Sequence, residues 1–160
     1  MDAKDLARFI KIHDIDAEIV FLAEMTPTVE AAAEAVGVQP PQIVKSVLFV
    51  VKEVGSPLRP QLVVTNGLSR VGYRPLAGYL GLSRRRVRMA RAEEVQQMTG
   101  YEVGTVPPFG HISALPTVMD AEVERQDEVY AGGGAINALM RLTVSELQRV
   151  LQAEVVALSE

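Results

Sequence analysis

The sequence predicts a mixed α/β fold in which a curled, barrel-like mixed β-sheet is flanked by helices. Segments with strand character outnumber those with helical character, and the two do not alternate as a doubly wound parallel sheet requires. The chain has 160 residues, of which 48% are hydrophobic and 22% charged, and this composition suffices for one well-filled core. We therefore expect a single domain over residues 1–160.

The first three elements each carry a local signal. Apolar residues at helical spacing predict a helix over Asp5–His13, and an apolar segment over Ala17–Leu22 predicts a strand. Thr28 is a typical N-cap residue, and Gly37 is typical of the position just after a helix. These two residues therefore bracket a predicted helix over Val29–Val36.

Two strands and a helix follow. The Pro40-Pro41 turn leads into a strand over Val44–Val51, and a loop rich in glycine and proline separates it from a strand over Gln61–Thr65. A short helix over Arg74–Leu80 ends before Gly81. The first of these strands is apolar at nearly every position, which indicates burial on both of its faces.

The C-terminal half continues with a brief strand over Val87–Ala90 and a helix over Ala92–Thr99, which Gly100 closes. Thr143-Val-Ser-Glu146 has the form of a capping box, which predicts a helix from there to about Leu151. The remaining apolar segments predict strands over Thr117–Asp120, Glu128–Ala131, Leu139–Leu142 and Glu154–Leu158.

The composition excludes several classes of site. The chain has no cysteine, which removes thiol nucleophiles, disulfides, iron–sulfur clusters and cysteine-bound zinc. His13 and His111 are the only histidines, so a histidine-rich metal site is disfavoured, and we expect neither a metal nor a cofactor. With four Tyr, four Phe and no Trp, aromatic stacking is a poor basis for nucleic-acid binding.

The N-terminus and the longest apolar stretch bear on where the protein works. The N-terminal residues interleave acidic and basic side chains and lack the apolar core of a secretory signal. The longest strongly apolar stretch, Val47–Val51, is far shorter than the ~20 residues that span a bilayer. We therefore expect a cytoplasmic protein with no membrane partner.

Charge is distributed unevenly along the chain. The net charge is −4, yet the segment Val54–Arg91 has no acidic residue and eight basic ones, so the remainder carries −12. All eight are arginines: Arg59, Arg70, Arg74, Arg84, Arg85, Arg86, Arg88 and Arg91. Because the planar guanidinium suits phosphate, this segment predicts either a basic surface that orients an RNA or a solvated face paired with acids from elsewhere.

Lys45 stands near the start of the apolar strand Val44–Val51. One interpretation is a strand-end lysine whose ammonium reaches solvent. The other is a cation in a pocket that holds a phosphate or an ester oxygen, because a buried or half-buried ammonium needs a partner. Ser46 follows directly but belongs to no recognisable nucleophile motif, so a serine nucleophile is weakly supported.

Two glycine-containing loops could line a ligand pocket. Gly104–Pro108 has the form GxxxP, and such a stiff loop either makes an ordinary turn or presents backbone groups to a small polar ligand. Gly132–Gly134 follows a predicted strand and matches neither GxGxxG nor the ending of a Walker loop. Its glycines predict either a bulge or free N–H groups that stabilise an oxyanion.

The order of these segments is more specific than any one of them. The informative segments are Thr28–Gly37, Ile43–Ser46, Thr99–Gly104, Pro107–Gly110, Leu115–Asp120 and Ala131–Gly133. Spread over nearly the entire chain, they resemble the YbaK/ProX-type aminoacyl-tRNA editing domain family.

The resemblance implies a free-standing deacylase that hydrolyses the ester between a wrongly chosen amino acid and the terminal adenosine of a tRNA. Most members clear errors of prolyl-tRNA synthetase, because a synthetase cannot reject a smaller or near-isosteric amino acid strongly enough by binding alone. The expected substrate is tRNA(Pro) carrying a wrong small amino acid. The expected partners are this tRNA and prolyl-tRNA synthetase but no DNA, and the expected state is a monomer or weak homodimer.

The resemblance also implies roles for individual residues. Lys45 matches the family's essential lysine, which holds the phosphate or ribose region of the terminal adenosine, and Ser46 lies beside it in the substrate site. The loop expected to position the 2′-hydroxyl and the ester comprises Gly104, Thr105, Val106, Pro107 and Pro108. Gly132 and Gly133 match the glycine pair of the aminoacyl pocket. The arginines expected to contact the acceptor stem are Arg70, Arg74, Arg84, Arg85 and Arg88.

Several alternatives stay open. Alanine-clearing members typically have Asn directly after the lysine, so Ser46 disfavours alanine and leaves serine, threonine, cysteine and small non-protein amino acids. An aminoacyl ester is already activated, so a site without His, Cys or a carboxylate base can suffice for its hydrolysis. The chain could instead be a non-catalytic accessory module that binds a tRNA or a synthetase, or a sensor of a free amino acid or nucleotide.

Overall fold

The computed structural model describes residues 1–160. Five α-helices are present: α1 Ala3–Ile12, α2 Val29–Val36, α3 Tyr73–Leu80, α4 Ala92–Thr99 and α5 Val144–Leu151. The eight strands are β1 Ala17–Phe21, β2 Val44–Val51, β3 Arg59–Asn66, β4 Val87–Met89, β5 Thr117–Asp120, β6 Glu128–Gly132, β7 Ala138–Thr143 and β8 Glu154–Val156. Every predicted helix and strand is found, with shifts of a few residues at the ends. No helix combines the length and the apolar character needed to cross a membrane.

The strands form two separate sheets, so the predicted barrel-like curl is wrong. One sheet is three-stranded in the order β1-β7-β6, and the other is five-stranded in the order β4-β2-β3-β5-β8. Both sheets keep open edges, and neither closes on itself. The two sheets meet just before β2, where Ile43 forms one isolated parallel bridge to Tyr130 of β6. That single bridge does not continue into a ladder, so the two sheets stay separate and do not merge into one curled surface.

The five-stranded sheet is covered on both faces, which explains why the central residues of β2 and β3 are apolar. Val44 and Val64 lie on the face that packs against the three-stranded sheet, with Met140 from β7. Phe49 and Val63 lie on the opposite face, where Leu76 of α3 covers them. Alternate residues of each strand therefore face opposite sides of the sheet, as the two-residue period of a strand requires.

The caps of α2 are confirmed, whereas the predicted capping box of α5 is only half present. Thr28 accepts a hydrogen bond from Ala31 N–H, and Gly37 adopts the left-handed conformation at φ 72°. Thr143 likewise accepts from the N–H of Glu146 at 3.1 Å. The Glu146 carboxylate, however, accepts the backbone N–H of Asp16 at 2.6 Å in place of the N–H of Thr143.

Asp120 is a buried acid with a structural role. Its side chain is at the end of β5, and the residue is 1% exposed. The carboxylate accepts hydrogen bonds from the N–H of Leu158 at 2.7 Å and from the hydroxyl of Ser159 at 2.6 Å. Asp120 therefore anchors the C-terminal segment to the five-stranded sheet, and it does not reach the cavity described below.

Candidate functional site

A cavity of about 540 Å³ lies where the two sheets diverge. This volume falls in the ~300–1,000 Å³ range of small-molecule sites. Its walls come from the start of α2, the first half of β2, the end of β4, the loop after α4 and the β6–β7 turn. Fifteen of the 22 lining residues are hydrophobic. The cavity is thus an apolar pocket with a few polar groups, which is the usual composition of a ligand site.

Lys45 is the only charged residue among those that line the cavity. It lies on β2 opposite Thr65 of β3, and it is exposed rather than buried. No acidic side chain forms an ion pair with it. Each of the two interpretations of Lys45 describes part of its position. The ammonium reaches solvent, and it also belongs to a pocket that lacks a carboxylate.

Ser46 lines the cavity next to Lys45. Its hydroxyl oxygen is buried and has no hydrogen-bond partner within the protein. The same is true of Thr65 Oγ1, on the neighbouring strand β3. Neither a histidine nor a carboxylate lines the cavity, so Ser46 has no general base beside it. The structure therefore adds no support for a serine nucleophile.

The GxxxP loop contributes only part of its length to the cavity. Gly104 and Val106 line it, whereas Thr105, Pro107 and Pro108 are buried behind its wall. Gly104 has φ 87°, a left-handed conformation that favours glycine. Thr105 holds the turn through both its N–H and its hydroxyl, which donate to the carbonyl of Glu102 at 3.0 and 2.8 Å.

The glycine-rich turn after β6 packs directly against the GxxxP loop. A Cβ at Gly132 would lie 2.2 Å from the carbonyl oxygen of Val106, which is closer than any real contact. The N–H of Gly134 donates to the carbonyl of Thr105 at 3.0 Å. Gly132 lines the cavity and Gly133 is buried behind it. The two predicted loops therefore form one continuous wall, and Gly132 allows their close approach.

Aromatic and histidine side chains support this wall from behind. Tyr101 is fully buried, its hydroxyl donates to the carbonyl of Gly110 at 3.1 Å, and burial raises its pKa to about 12. His111 Nε2 lies 2.7 Å from the carbonyl oxygen of Pro107. Burial lowers the pKa of His111, so its imidazole is neutral near pH 7 and donates from Nε2. These two side-chain donors satisfy the buried carbonyls of Gly110 and Pro107.

Several lining residues were not among the site residues predicted from the sequence. They are Thr26, Pro27, Met89, Ala90, Val103, Ala135 and Ile136, among others. Three of them are apolar yet more than half exposed: Met89 at 53%, Val103 at 59% and Ile136 at 58%. Exposed apolar side chains around one opening indicate a binding surface, but exposure of this kind cannot be read from a sequence.

The arginine-rich segment divides into paired and unpaired side chains. Arg88 forms a two-pronged ion pair with Glu94 at 2.8 and 3.0 Å, which lowers the pKa of Glu94 to about 2, and Arg59 pairs with Glu53. Arg84 stacks its guanidinium over the ring of Tyr73 at 4.3 Å. Six arginines of the segment form no ion pair: Arg70, Arg74, Arg84, Arg85, Arg86 and Arg91.

Comparisons with known proteins place these features in a family. The model of the aminoacyl-tRNA editing domain matches residues 23–150. A proline–tRNA ligase from Limosilactobacillus fermentum is 32% identical over 110 residues, which are 67% of this chain but only 19% of that enzyme. The chain thus spans about a fifth of this relative. The protein YwhH of Bacillus subtilis is 32% identical over 120 residues, which cover 75% of this chain and 72% of that protein.

Solved structures agree in fold over almost the whole chain. A structure solved as a candidate trans-editing enzyme for prolyl tRNA synthetase has a TM-score of 0.87 at 33% identity and covers 99% of this chain and 96% of its own. The structure of the protein APE2540 has a TM-score of 0.86 at 31% identity and covers 98% of this chain and 99% of its own. With the family model matching most of its length, the chain belongs to the aminoacyl-tRNA editing domain family.

Proposed function

We propose that this protein is a free-standing aminoacyl-tRNA deacylase that hydrolyses the ester of tRNA(Pro) carrying a wrong small amino acid. The observation that carries the proposal is the cavity itself, in which one cation, Lys45, stands among apolar walls and glycine-containing loops. Membership in the editing-domain family and the likeness to a candidate trans-editing enzyme for prolyl tRNA synthetase support it.

The charges of the cavity suit an ester at the end of an RNA. The ammonium of Lys45 is complementary to the terminal phosphate or to the negative charge that develops on the ester oxygen. The apolar wall suits a small uncharged side chain. A cationic amino acid would meet Lys45 without any carboxylate to offset the repulsion, so the walls disfavour it.

Hydrolysis requires few groups from the protein. Water adds to the carbonyl carbon, the bond to the 3′ oxygen breaks, and a proton passes to that oxygen to leave a free amino acid and an intact tRNA. The cavity lining has no histidine, cysteine or carboxylate, so the proton acceptor is a group of the substrate or another water. The protein then acts by orienting the ester and by stabilising the oxyanion.

The proposal is tested with a panel of tRNA(Pro) charged with Pro, Ala, Cys, Ser or Thr. We expect rapid loss of at least one mischarged ester, measured as labelled amino acid released over time, with prolyl-tRNA(Pro) spared. Among the mischarged esters, alanyl-tRNA(Pro) is expected to be cleaved poorly because Ser46 follows the lysine. If every ester persists while the protein still binds tRNA(Pro), the protein is an accessory module and not a deacylase.

We further propose that the unpaired arginines contact the acceptor stem. The turn Arg84–Arg86 lies beyond the C-terminal end of β2, because Lys52 N–H donates to the carbonyl of Arg86. Lys45 lies near the other end of this strand. The stretch of chain from Lys45 to Lys52 spans about 23 Å at ~3.3 Å per residue. Arg70 follows the end of β3 that lies beside Lys45, and Arg74 begins α3. The unpaired cations therefore follow both ends of the central strands, and we expect an RNA whose end is bound in the cavity to pass along them.

Reversing two of these charges should weaken RNA binding and its dependence on salt. The variant R84E/R85E is expected to bind tRNA(Pro) more weakly and to lower the slope of log Kd against log salt concentration by about 2, because each lost phosphate contact removes about one unit. The matched control is R8E/R125E, which makes the same change of charge outside the segment. Equal slopes in both double variants would show that the segment is a solvated face. Arg88 is left unchanged because it is paired with Glu94.

A further inference from the structure

We infer that the backbone N–H and C=O of Ser46 form the subsite that reads the α-amino ester of the substrate, with the N–H donating to the ester carbonyl oxygen and the C=O accepting from the α-ammonium group. This inference rests on the proposed function and deepens it, because it assigns recognition of the reacting group to an open edge of β2. A subsite of this kind requires an L-α-aminoacyl ester and does not accept every ester.

The hydrogen-bond pattern of β2 shows which way the Ser46 peptide points. The carbonyl of Ile43 accepts from Gly67 N–H on the β3 side, so Ile43, Lys45 and Val47 direct their backbone groups toward β3. The carbonyl of Leu48 accepts from Ala90 N–H on the β4 side. Alternation along the strand therefore turns the N–H and C=O of Ser46 to the side away from β3.

On that side of β2, no residue stands opposite Ser46. The register with β4 covers only Phe49–Val51, and the bridge to β6 involves only Ile43 and Tyr130. Ser46 lies in the gap between these two partners, where the sheets diverge. A peptide group without a ladder partner needs another hydrogen-bonding partner, which here is a ligand or water.

The cavity occupies this gap. Five consecutive residues of β2, Val44–Leu48, line it. Successive side chains of a strand point to opposite faces, so a cavity against one face would touch every second residue only. Because five consecutive residues line it, the cavity runs along the edge of the strand, where the backbone groups point. Extended ligands bind such edges through main-chain hydrogen bonds.

The chemistry of the remaining walls supports this assignment. An aminoacyl ester carries an ammonium group and a carbonyl oxygen, as an adjoining strand would carry an N–H and a C=O. The cavity lining has no Asp or Glu to pair with the ammonium, so a backbone carbonyl is the acceptor that the site offers. An N–H aimed at the ester oxygen would also stabilise the oxyanion that forms during hydrolysis.

The decisive experiment removes the N–H and keeps the side chain. Suppression of a stop codon at position 46 with the α-hydroxy analogue of serine replaces the N–H by an ester oxygen. We expect kcat/KM for the best-cleaved ester of the panel to fall roughly 100-fold, mainly through kcat, with the thermal transition retained. An unchanged kcat/KM would overturn the inference while leaving the deacylase proposal intact. A wild-type protein that cleaves no ester would overturn both.

Proline substitutions provide an independent test of the geometry. In S46P the lost N–H faces the cavity, so the protein is expected to fold and to lose far more activity than S46A, which removes only the hydroxyl. In V47P the lost N–H is one that bonds to β3, so that variant is expected to unfold. If S46P unfolds as V47P does, Ser46 N–H belongs to the sheet and the inference is wrong.

The carbonyl half of the inference is tested on the substrate. Deamination of the best-cleaved aminoacyl-tRNA with nitrous acid converts its α-ammonium into a hydroxyl. We expect KM to rise roughly tenfold, because a charged donor makes the stronger hydrogen bond to the Ser46 carbonyl. Equal KM values for the two esters would show that the ammonium is not read, and the carbonyl role would be abandoned.

Discussion

Replacing Lys45 by alanine is expected to lower kcat/KM for the mischarged ester by about 100- to 1,000-fold, the loss that follows removal of one group stabilising an oxyanion. Lys45 is the only charged residue in the cavity lining, so no neighbouring side chain can replace its charge. Its exposure and its lack of an ion pair mean that the fold does not depend on it. The melting temperature should therefore stay close to that of the wild type.

The matched control for this variant is K52A. Lys52 is also exposed and follows the other end of β2, away from the cavity lining, so its removal should leave deacylation unaffected. K45R keeps the charge but not the compact ammonium, and its activity should fall between those of the wild type and K45A. A K45A protein that keeps most of its activity, measured as the rate of amino acid release, would remove Lys45 from the proposed site.

Replacing Gly132 by alanine should damage both stability and activity. The added Cβ would lie 2.2 Å from the Val106 carbonyl oxygen, and both residues belong to backbone that cannot move without shifting the cavity wall. Overpacking of this kind costs about 1–3 kcal/mol of unfolding free energy. That loss corresponds to a decrease of the melting temperature by roughly 2–12 °C in a chain of this length.

The loss of activity in G132A should exceed what instability explains. Displacing a cavity wall by about 1 Å can lower the rate roughly 100-fold, because the ester no longer meets its hydrogen-bonding groups. Deacylation is measured well below the melting temperature of the variant, so that the protein assayed is folded. The control is G78A in α3, where a Cβ meets no atom within 4 Å and stability should be kept or slightly raised. Normal kcat/KM in G132A would show that the two loops are not a shared wall of the site.

The elements and the family motifs were largely predictable from the sequence. Thr28 and Gly37 bracket α2 as expected, and Gly81 and Gly100 end α3 and α4 in the left-handed conformation. These signals are readable because a cap and the helix end that it stabilises lie within a few residues of one another. Lys45, Ser46, Gly104, Val106 and Gly132 were all identified in advance, and the structure brings them to one cavity.

Contacts that depend on how separate elements pack against one another were not predictable in this way. The ion pair between Arg88 and Glu94 was not predicted, and the expectation that Arg88 contacts RNA stays a prediction. Glu94 lies just after the acid-free segment, only six positions after Arg88. The geometry of the pair nevertheless depends on how α4 packs beside β4. Glu146 was expected to cap its own helix, yet it accepts from Asp16, 130 residues away. In both cases the packing of separate elements decides the partner, and a single sequence does not show that packing.

The sequence by itself determined where the helices and strands lie and which residues carry the editing-domain motifs, because both depend on spacing over a few residues. Only the tertiary structure decided that the strands form two separate open sheets, linked by one bridge just before β2, and not a barrel. The bridge from Ile43 to Tyr130 and the contact of Gly132 with Val106 join residues far apart in the chain. Ser46 and Lys45 line the cavity between the elements that these contacts join. Pairing over such distances along the chain is set by the packing of the whole core.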